Sequence, residues 1–214
     1  MKKLIIVLVL LSGTFISKAQ NESEGDEERK TGFKKENLFT GGGAIVSVGS
    51  YSTLLGASPV FGYSINKWLD AGISFNYNYA SARYIYFNGF NYVVSDNKVR
   101  QNVLGPGIFA RAYPLKFLFI NVQAEHNFTT EKQISPNQPT IKTKYDATSL
   151  LVGVGYASGR QGTGEFYYYI SIMADVVGNV NSPYVGISES GKAVITPIFK
   201  AGIQVPLFQG KKYR

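Results

Sequence analysis

His126 is the only histidine in the 214 residues, and cysteine is absent. The chain therefore has one natural general base and no thiol to serve as nucleophile, disulfide partner or metal ligand. A base does covalent chemistry only beside a nucleophile and an orienting group. Phe128, two residues on along the same face, carries no hydroxyl. Glu125 has the opposite parity, and Thr129 and Thr130 are poor substitutes. A zinc-type site would require converging carboxylates around that one histidine, and none cluster in the sequence. No catalysis, no metal and no cofactor are expected. The other chemically informative residues are Asp70, Arg111, Glu125, Asp175 and Lys200. Each is a lone charge inside an otherwise uncharged, aromatic-rich segment, and a buried charge must be paired to be tolerated.

The segments that carry these charges alternate with period two, the signature of β-strands. Along 118–128, Leu118, Ile120, Val122, Ala124, His126 and Phe128 share one face, and Phe119, Asn121, Gln123, Glu125 and Asn127 share the other. The stretch from Phe166 sets Tyr168, Ile170, Ile172 and Ala174 against Tyr167, Tyr169, Ser171 and Asp175. Similar alternation runs through 38–48, 54–65, 68–80, 101–113, 148–157 and 195–207. Eight antiparallel strands are expected, in one domain spanning 38–208.

The N-terminus is of another kind. Met1-Lys2-Lys3 precedes an apolar run from Leu4 to Leu11, and Ser17-Lys18-Ala19 offers small residues at the −3 and −1 positions of a cleavage site. Residues 1–19 read as a secretory signal peptide, too short in its apolar core to span a bilayer. Without a cysteine at the cleavage point no lipid anchor is expected. Residues 20–37 form a charged arm, with Glu22, Glu24, Asp26, Glu27 and Glu28 followed by Arg29, Lys30, Lys34 and Lys35. Its low apolar content predicts flexibility. Residues 209–214 form a basic tail. Loss of the three lysines of the leader takes the formal charge from +8 to +5.

Parity alone does not say which face meets water. In a soluble barrel the apolar rows are the core; in a membrane barrel they face lipid and the polar rows fill the interior. Three features favour the membrane barrel over a lipocalin-like soluble one. The alternating runs are about 10–15 residues long, against about 5–6 for an average strand. Short connections near 65–67, 114–116 and 157–164 alternate with long polar ones near 83–98, 131–144 and 178–192. Aromatics gather at both ends of the apolar rows: Tyr63, Trp68, Phe117, Tyr156 and Phe166 at the short turns, Tyr77, Tyr79 and Phe128 toward the long loops. Two aromatic girdles mark two membrane interfaces. The expected fold is an all-β, eight-stranded, up-and-down transmembrane β-barrel in the outer membrane, with both termini periplasmic.

The run from Val60 to Leu69 (VFGYSINKWL) and the closing Lys200 to Phe208 (KAGIQVPLF), together with Ala19-Gln20, resemble the small outer-membrane β-barrel family of Bacteroidota, PorT-like and OmpA-like eight-stranded barrels. The resemblance covers about 38–208. Its PorT-like branch implies an accessory role in a type IX secretion complex. The chain departs from the usual aromatic ending, since Gln209 to Arg214 follow Phe208.

On the barrel reading, Asp70, Arg111, Glu125, Asp175 and Lys200 face inward. The expected pairs are Asp70 with Arg111, and Lys200 with Asp175 or Glu125. An eight-stranded interior is filled by side chains, so a salt-bridged plug is expected before a conducting path. Inward glycines, among them Gly62, Gly72 and Gly155, make room for aromatic rings. Arg83, Lys98, Arg100, Lys132, Lys142, Lys144 and Lys192 belong to the outer rim, where they suit lipopolysaccharide phosphates. The cations gather on no compact domain face, so no nucleic-acid partner is expected. The expected function is a non-catalytic outer-membrane protein, structural or binding lipopolysaccharide or a larger complex. The rivals are a secretion accessory and, resembling lipid A deacylases, a lipid-modifying enzyme.

Overall fold

The computed structural model describes residues 33–136, 138–187 and 193–209. The leader, residues 20–32 of the arm, residues 210–214 of the tail and Lys192 lie outside the described residues. A 3-10 turn, Lys35–Asn37, leads into strands β1 (Leu38–Val48), β2 (Ser52–Asn66), β3 (Leu69–Phe87), β4 (Tyr92–Leu115), β5 (Leu118–Ile134), β6 (Ile141–Ser158) and β7 (Tyr167–Asp175). A small hairpin, β8 (Val185–Ile187) with β9 (Ala193–Ile195), precedes β10 (Ile198–Pro206). The eight long strands form a closed up-and-down ring in the order β1-β10-β7-β6-β5-β4-β3-β2, every pairing antiparallel.

The alternation in the sequence becomes alternation in exposure. On β5, Phe119, Asn121, Gln123, Glu125 and Asn127 are buried, while Ile120, Val122 and Phe128 are exposed. On β7, Tyr167, Tyr169, Ser171, Met173 and Asp175 are buried, and Tyr168, Ile170 and Ile172 are exposed. The apolar rows face out and the polar rows face in.

Strand ends differ from the sequence expectation in an instructive way. β3 and β4 are 19 and 24 residues long, and they meet in a turn of only four residues, 88–91. The expected long polar connection at 83–98 is mostly a projecting β-hairpin. Tyr84, Ile85, Tyr86, Tyr92, Val93 and Val94 are strong strand formers. They lack clean alternation because neither face is covered. Asn88 closes the turn by accepting the backbone N–H groups of Phe90 and Asn91 at 3.1 and 2.8 Å, and Gly89 adopts φ +93. β5 and β6 likewise extend to leave only 135–140 between them. Residues 195–197, expected in the last strand, lie instead in or beside the β8–β9 hairpin.

Gly155 shows how the interior accommodates its rings. A Cβ there would lie 2.2 Å from Cζ of Phe119, which packs among Tyr113, Ala157, Tyr167 and Tyr169. Gly155→Leu is expected to cost about 1–3 kcal/mol through overpacking, read as a lower urea midpoint of the folded barrel; an unchanged midpoint would contradict this packing. Gly62 has the same relation to Phe39, 2.3 Å from its Cζ.

Candidate functional site

The polar interior divides into two clusters. Near the short-turn end, Asp70 is wholly buried and its Oδ1 meets Nη2 of Arg160 at 2.9 Å. Arg160 also donates to the Lys67 carbonyl at 2.6 Å and stacks over Tyr113, 3.7 Å from the ring centroid. This corrects the expected Asp70–Arg111 pair. The two are cross-strand neighbours, but Arg111 turns to the aromatic side. Its guanidinium lies 4.7 Å from the Tyr169 centroid and 4.8 Å from that of Phe109, and it donates to Gln204 Oε1 at 3.2 Å. Tyr113 and Tyr167 share a 2.6 Å hydrogen bond, and Tyr167 donates onward to Gln204. Delocalised guanidinium over aromatic faces is favourable in a desolvated site.

Parity reading missed Arg160 because the residue lies on no strand. It sits in the β6–β7 connection, which tucks back under the barrel. Burial opposes the Arg160 charge, but Asp70, Tyr113 and Tyr167 together outweigh it and hold the guanidinium above its ordinary pKa.

In the other half, Glu125 Oε1 accepts from Asn76 Nδ2 and Gln123 Nε2, and Lys200 Nζ stands 3.8 Å away. Its Oε2 accepts from the Tyr184 hydroxyl at 2.8 Å. Of the two carboxylates expected beside Lys200, Glu125 is therefore the nearer partner. Asp175 takes the Ser182 hydroxyl at 2.7 Å and the backbone N–H groups of Leu150 and Val177 at 3.2 and 3.0 Å. Ser182 also meets Ser149, which accepts from Asn127. Ser182 and Tyr184 belong to the connection after β7, which dips into the barrel mouth. Burial pushes the Tyr184 phenol up, and the neighbouring Glu125 pushes it further, so it remains a proton donor. The only sequence signal for this insert was an aromatic next to proline in a long loop, Pro183-Tyr184.

Between the clusters lies a cavity of about 20 Å³ lined by Ser74, Asn76, Arg111, Gln123, Ser171 and Lys200 among others. That is room for about one water.

The rim cations fall into a pattern on the outward face. Arg100 of β4 lies opposite Lys132 of β5, and Lys132 lies opposite Lys142 of β6. Arg83 lies opposite Lys98, and Lys144 is one outward position along from Lys142. Among the described residues none of these six forms an ion pair. Like charges directly opposite destabilise a sheet, so these cations repel one another along the row.

His126 does find company. Its Nδ1 is 3.1 Å from Thr148 Oγ1 and its Nε2 is 3.4 Å from Asp146 Oδ2, all on the exposed face. The hydroxyl missing from its own strand is supplied by its cross-strand neighbour on β6. An acyl-transfer site also needs donors for the developing oxyanion. On the β6 side the backbone is engaged in strand pairing, His126 opposite Thr148, whereas on the β4 side the pairing passes from Leu104–Phe128 to Gly107–Glu125 across Pro106, which has no N–H to donate. Among the described residues no cluster of His, Asp and Glu could hold a metal ion.

No protein-family model matches the chain, and no curated protein matches it.

Proposed function

We propose that this chain is a non-catalytic integral outer-membrane barrel that binds lipopolysaccharide at its rim. The observation that carries the reading is sidedness. Asp70, Arg111, Glu125, Asn121 and Gln123 are buried, while Ile108, Ile120, Val154, Ile170 and Phe199 are exposed. Water would have to wet those apolar rows, whereas acyl chains would cover them at no such cost. The outward row Arg100–Lys132–Lys142, flanked by Arg83, Lys98 and Lys144, supplies unpaired cations for a polyanionic head.

The test is direct. The mature protein should fractionate with the outer membrane and bind lipid A bisphosphate in detergent. The triple variant Arg100→Gln/Lys132→Gln/Lys142→Gln should bind about tenfold more weakly, since three exposed charges together contribute roughly 1–3 kcal/mol. The loss should shrink in high salt. Equal binding by the triple variant would remove the lipopolysaccharide role.

A second reading, an accessory of a type IX-like secretion complex, is favoured by the projecting β3–β4 hairpin. Phe87, Phe90 and Tyr92 at its tip are 59%, 89% and 79% exposed, and such exposed aromatic patches mark partner surfaces. Affinity purification from native membranes, with mass spectrometry of proteins and lipids, should recover a larger complex that the 86–92 deletion releases. The same lipid spectra check the enzymatic rival: a change in lipid A mass that His126→Ala abolishes would establish deacylation, and an unchanged mass would end it.

A further inference from the structure

Strands β1 and β10 close the ring over a short distance. Their Cα partners run only from Phe39–Pro206 to Gly42–Ile203, while β1 stays paired with β2 as far as Val48–Thr53. Beyond Gly42, β1 has a partner strand on one side only. In hydrocarbon, unpaired backbone is tolerated only where it is buried in protein or lines a water-filled cavity.

A cavity of about 450 Å³ lies at this seam, lined by Ala44, Val46, Ile170, Ser171, Phe199, Lys200 and Ala201. Its lining includes residues of both rows of the sheet. Ser171 and Lys200 lie on inward rows and also line the small central cavity, whereas Ile170 and Phe199 lie on outward rows and are exposed. The seam cavity therefore brings residues of both rows together where β1 lacks its β10 partner.

One charge lines it. The Lys200 ammonium has three donors, and its nearest acceptors are Asn76 Oδ1 at 3.5 Å and Glu125 Oε1 at 3.8 Å. Glu125 already accepts from Asn76, Gln123 and Tyr184. Lys200 is thus a weakly engaged cation beside the apolar lining of the seam cavity. A second cavity of about 500 Å³ sits in the long-loop mouth, lined by Leu54, Val103, Val185 and Ile198 with the carboxamides of Asn78 and Gln101, and it shares Phe199 with the seam.

We infer that the β1–β10 seam is a lateral port that binds a long-chain carboxylate from the surrounding bilayer. The carboxylate sits on Lys200 and Ser171, and the chain lies along Ile170, Phe199 and Val46. A single cation and a single hydroxyl match a small monoanionic head. A diphosphorylated glycolipid would need more charge, and an added protein strand would leave the ammonium unused. The inference rests on the membrane reading above and goes beyond it.

The full mature chain, folded into phosphatidylcholine nanodiscs, would be irradiated with diazirine-bearing palmitate and its adducts mapped by mass spectrometry. Adducts should concentrate on Ile170, Ser171, Phe199 and Ala201, and unlabelled palmitate, but not hexadecanol, should compete. Lys200→Gln should reduce labelling about tenfold, the loss of one charge-assisted hydrogen bond, and Lys200→Arg should retain it. Ala44→Trp fills the opening from an exposed position and should block labelling even if Lys200→Gln fails to fold. Adducts spread evenly over the exposed rows of β5 and β6, or labelling unchanged in Ala44→Trp, would overturn the port. Adducts displaced by phosphatidylglycerol but not by palmitate would overturn the carboxylate assignment, and a co-purifying strand at β1 would do the same. Heat-modifiable gel mobility reads folding separately: a chain that never folds into lipid refutes the membrane reading, whereas a folded chain with even labelling refutes the port alone.

Discussion

Arg160→Met is expected to destabilise the folded barrel by about 3–5 kcal/mol, because it leaves the Asp70 carboxylate buried without its counter-charge. Asp70 is 0% exposed and its Oδ2 has no hydrogen-bond partner, so the Arg160 contact at 2.9 Å is its compensating interaction. The substitution also removes the stacking on Tyr113 and the tie to the Lys67 carbonyl. Urea unfolding of the detergent- or lipid-embedded protein, followed by intrinsic fluorescence, measures the change. The double variant Arg160→Met/Asp70→Asn should recover much of the loss, since the orphaned carboxylate is gone. Arg111→Met should behave differently: Asp70 keeps its Arg160 partner, so adding Asp70→Asn should restore nothing. A cycle in which Asp70 couples to Arg111 and not to Arg160 would reverse the assignment made here.

Val122→Arg tests sidedness with the second large effect. Val122 is 41% exposed on β5, between Ile120 and Ala124 of the outward row. An arginine facing hydrocarbon near the middle of a barrel wall costs about 2–4 kcal/mol. The same arginine on a water-exposed surface would change stability by about 0.5 kcal/mol or less. The expected result is the larger loss in lipid vesicles, with a much smaller loss for Ile141→Arg at the outer end of β6. Equal, small effects at both positions would mean that water covers the apolar rows, and the membrane assignment would fall with them.

Much of the architecture was legible because period two is a local property. Whether Asn121, Gln123 and Glu125 share a face follows from backbone geometry alone, and so the eight barrel strands and their inward rows could be read before any contact was known. The same logic failed where locality ends. Residues 83–98 broke the alternation, which reads as a loop, yet their β-branched and aromatic content sustains a hairpin without a core. Arg160, Ser182 and Tyr184 belong to connections, and no periodic rule says whether a connection stays outside or folds into a barrel mouth.

The sequence by itself determined the strand number and which residues share a row with the charges or with the apolar side chains, because each depends on spacing along one chain. Only the tertiary structure decided which charge meets which. It gave Asp70 to Arg160 across 90 residues, set Thr148 beside His126, aligned Arg100 with Lys132 and Lys142, and left β1 without its β10 partner above Gly42. Those outcomes depend on register, loop insertion and ring closure, which bring together groups far apart in the chain and carry no local periodicity.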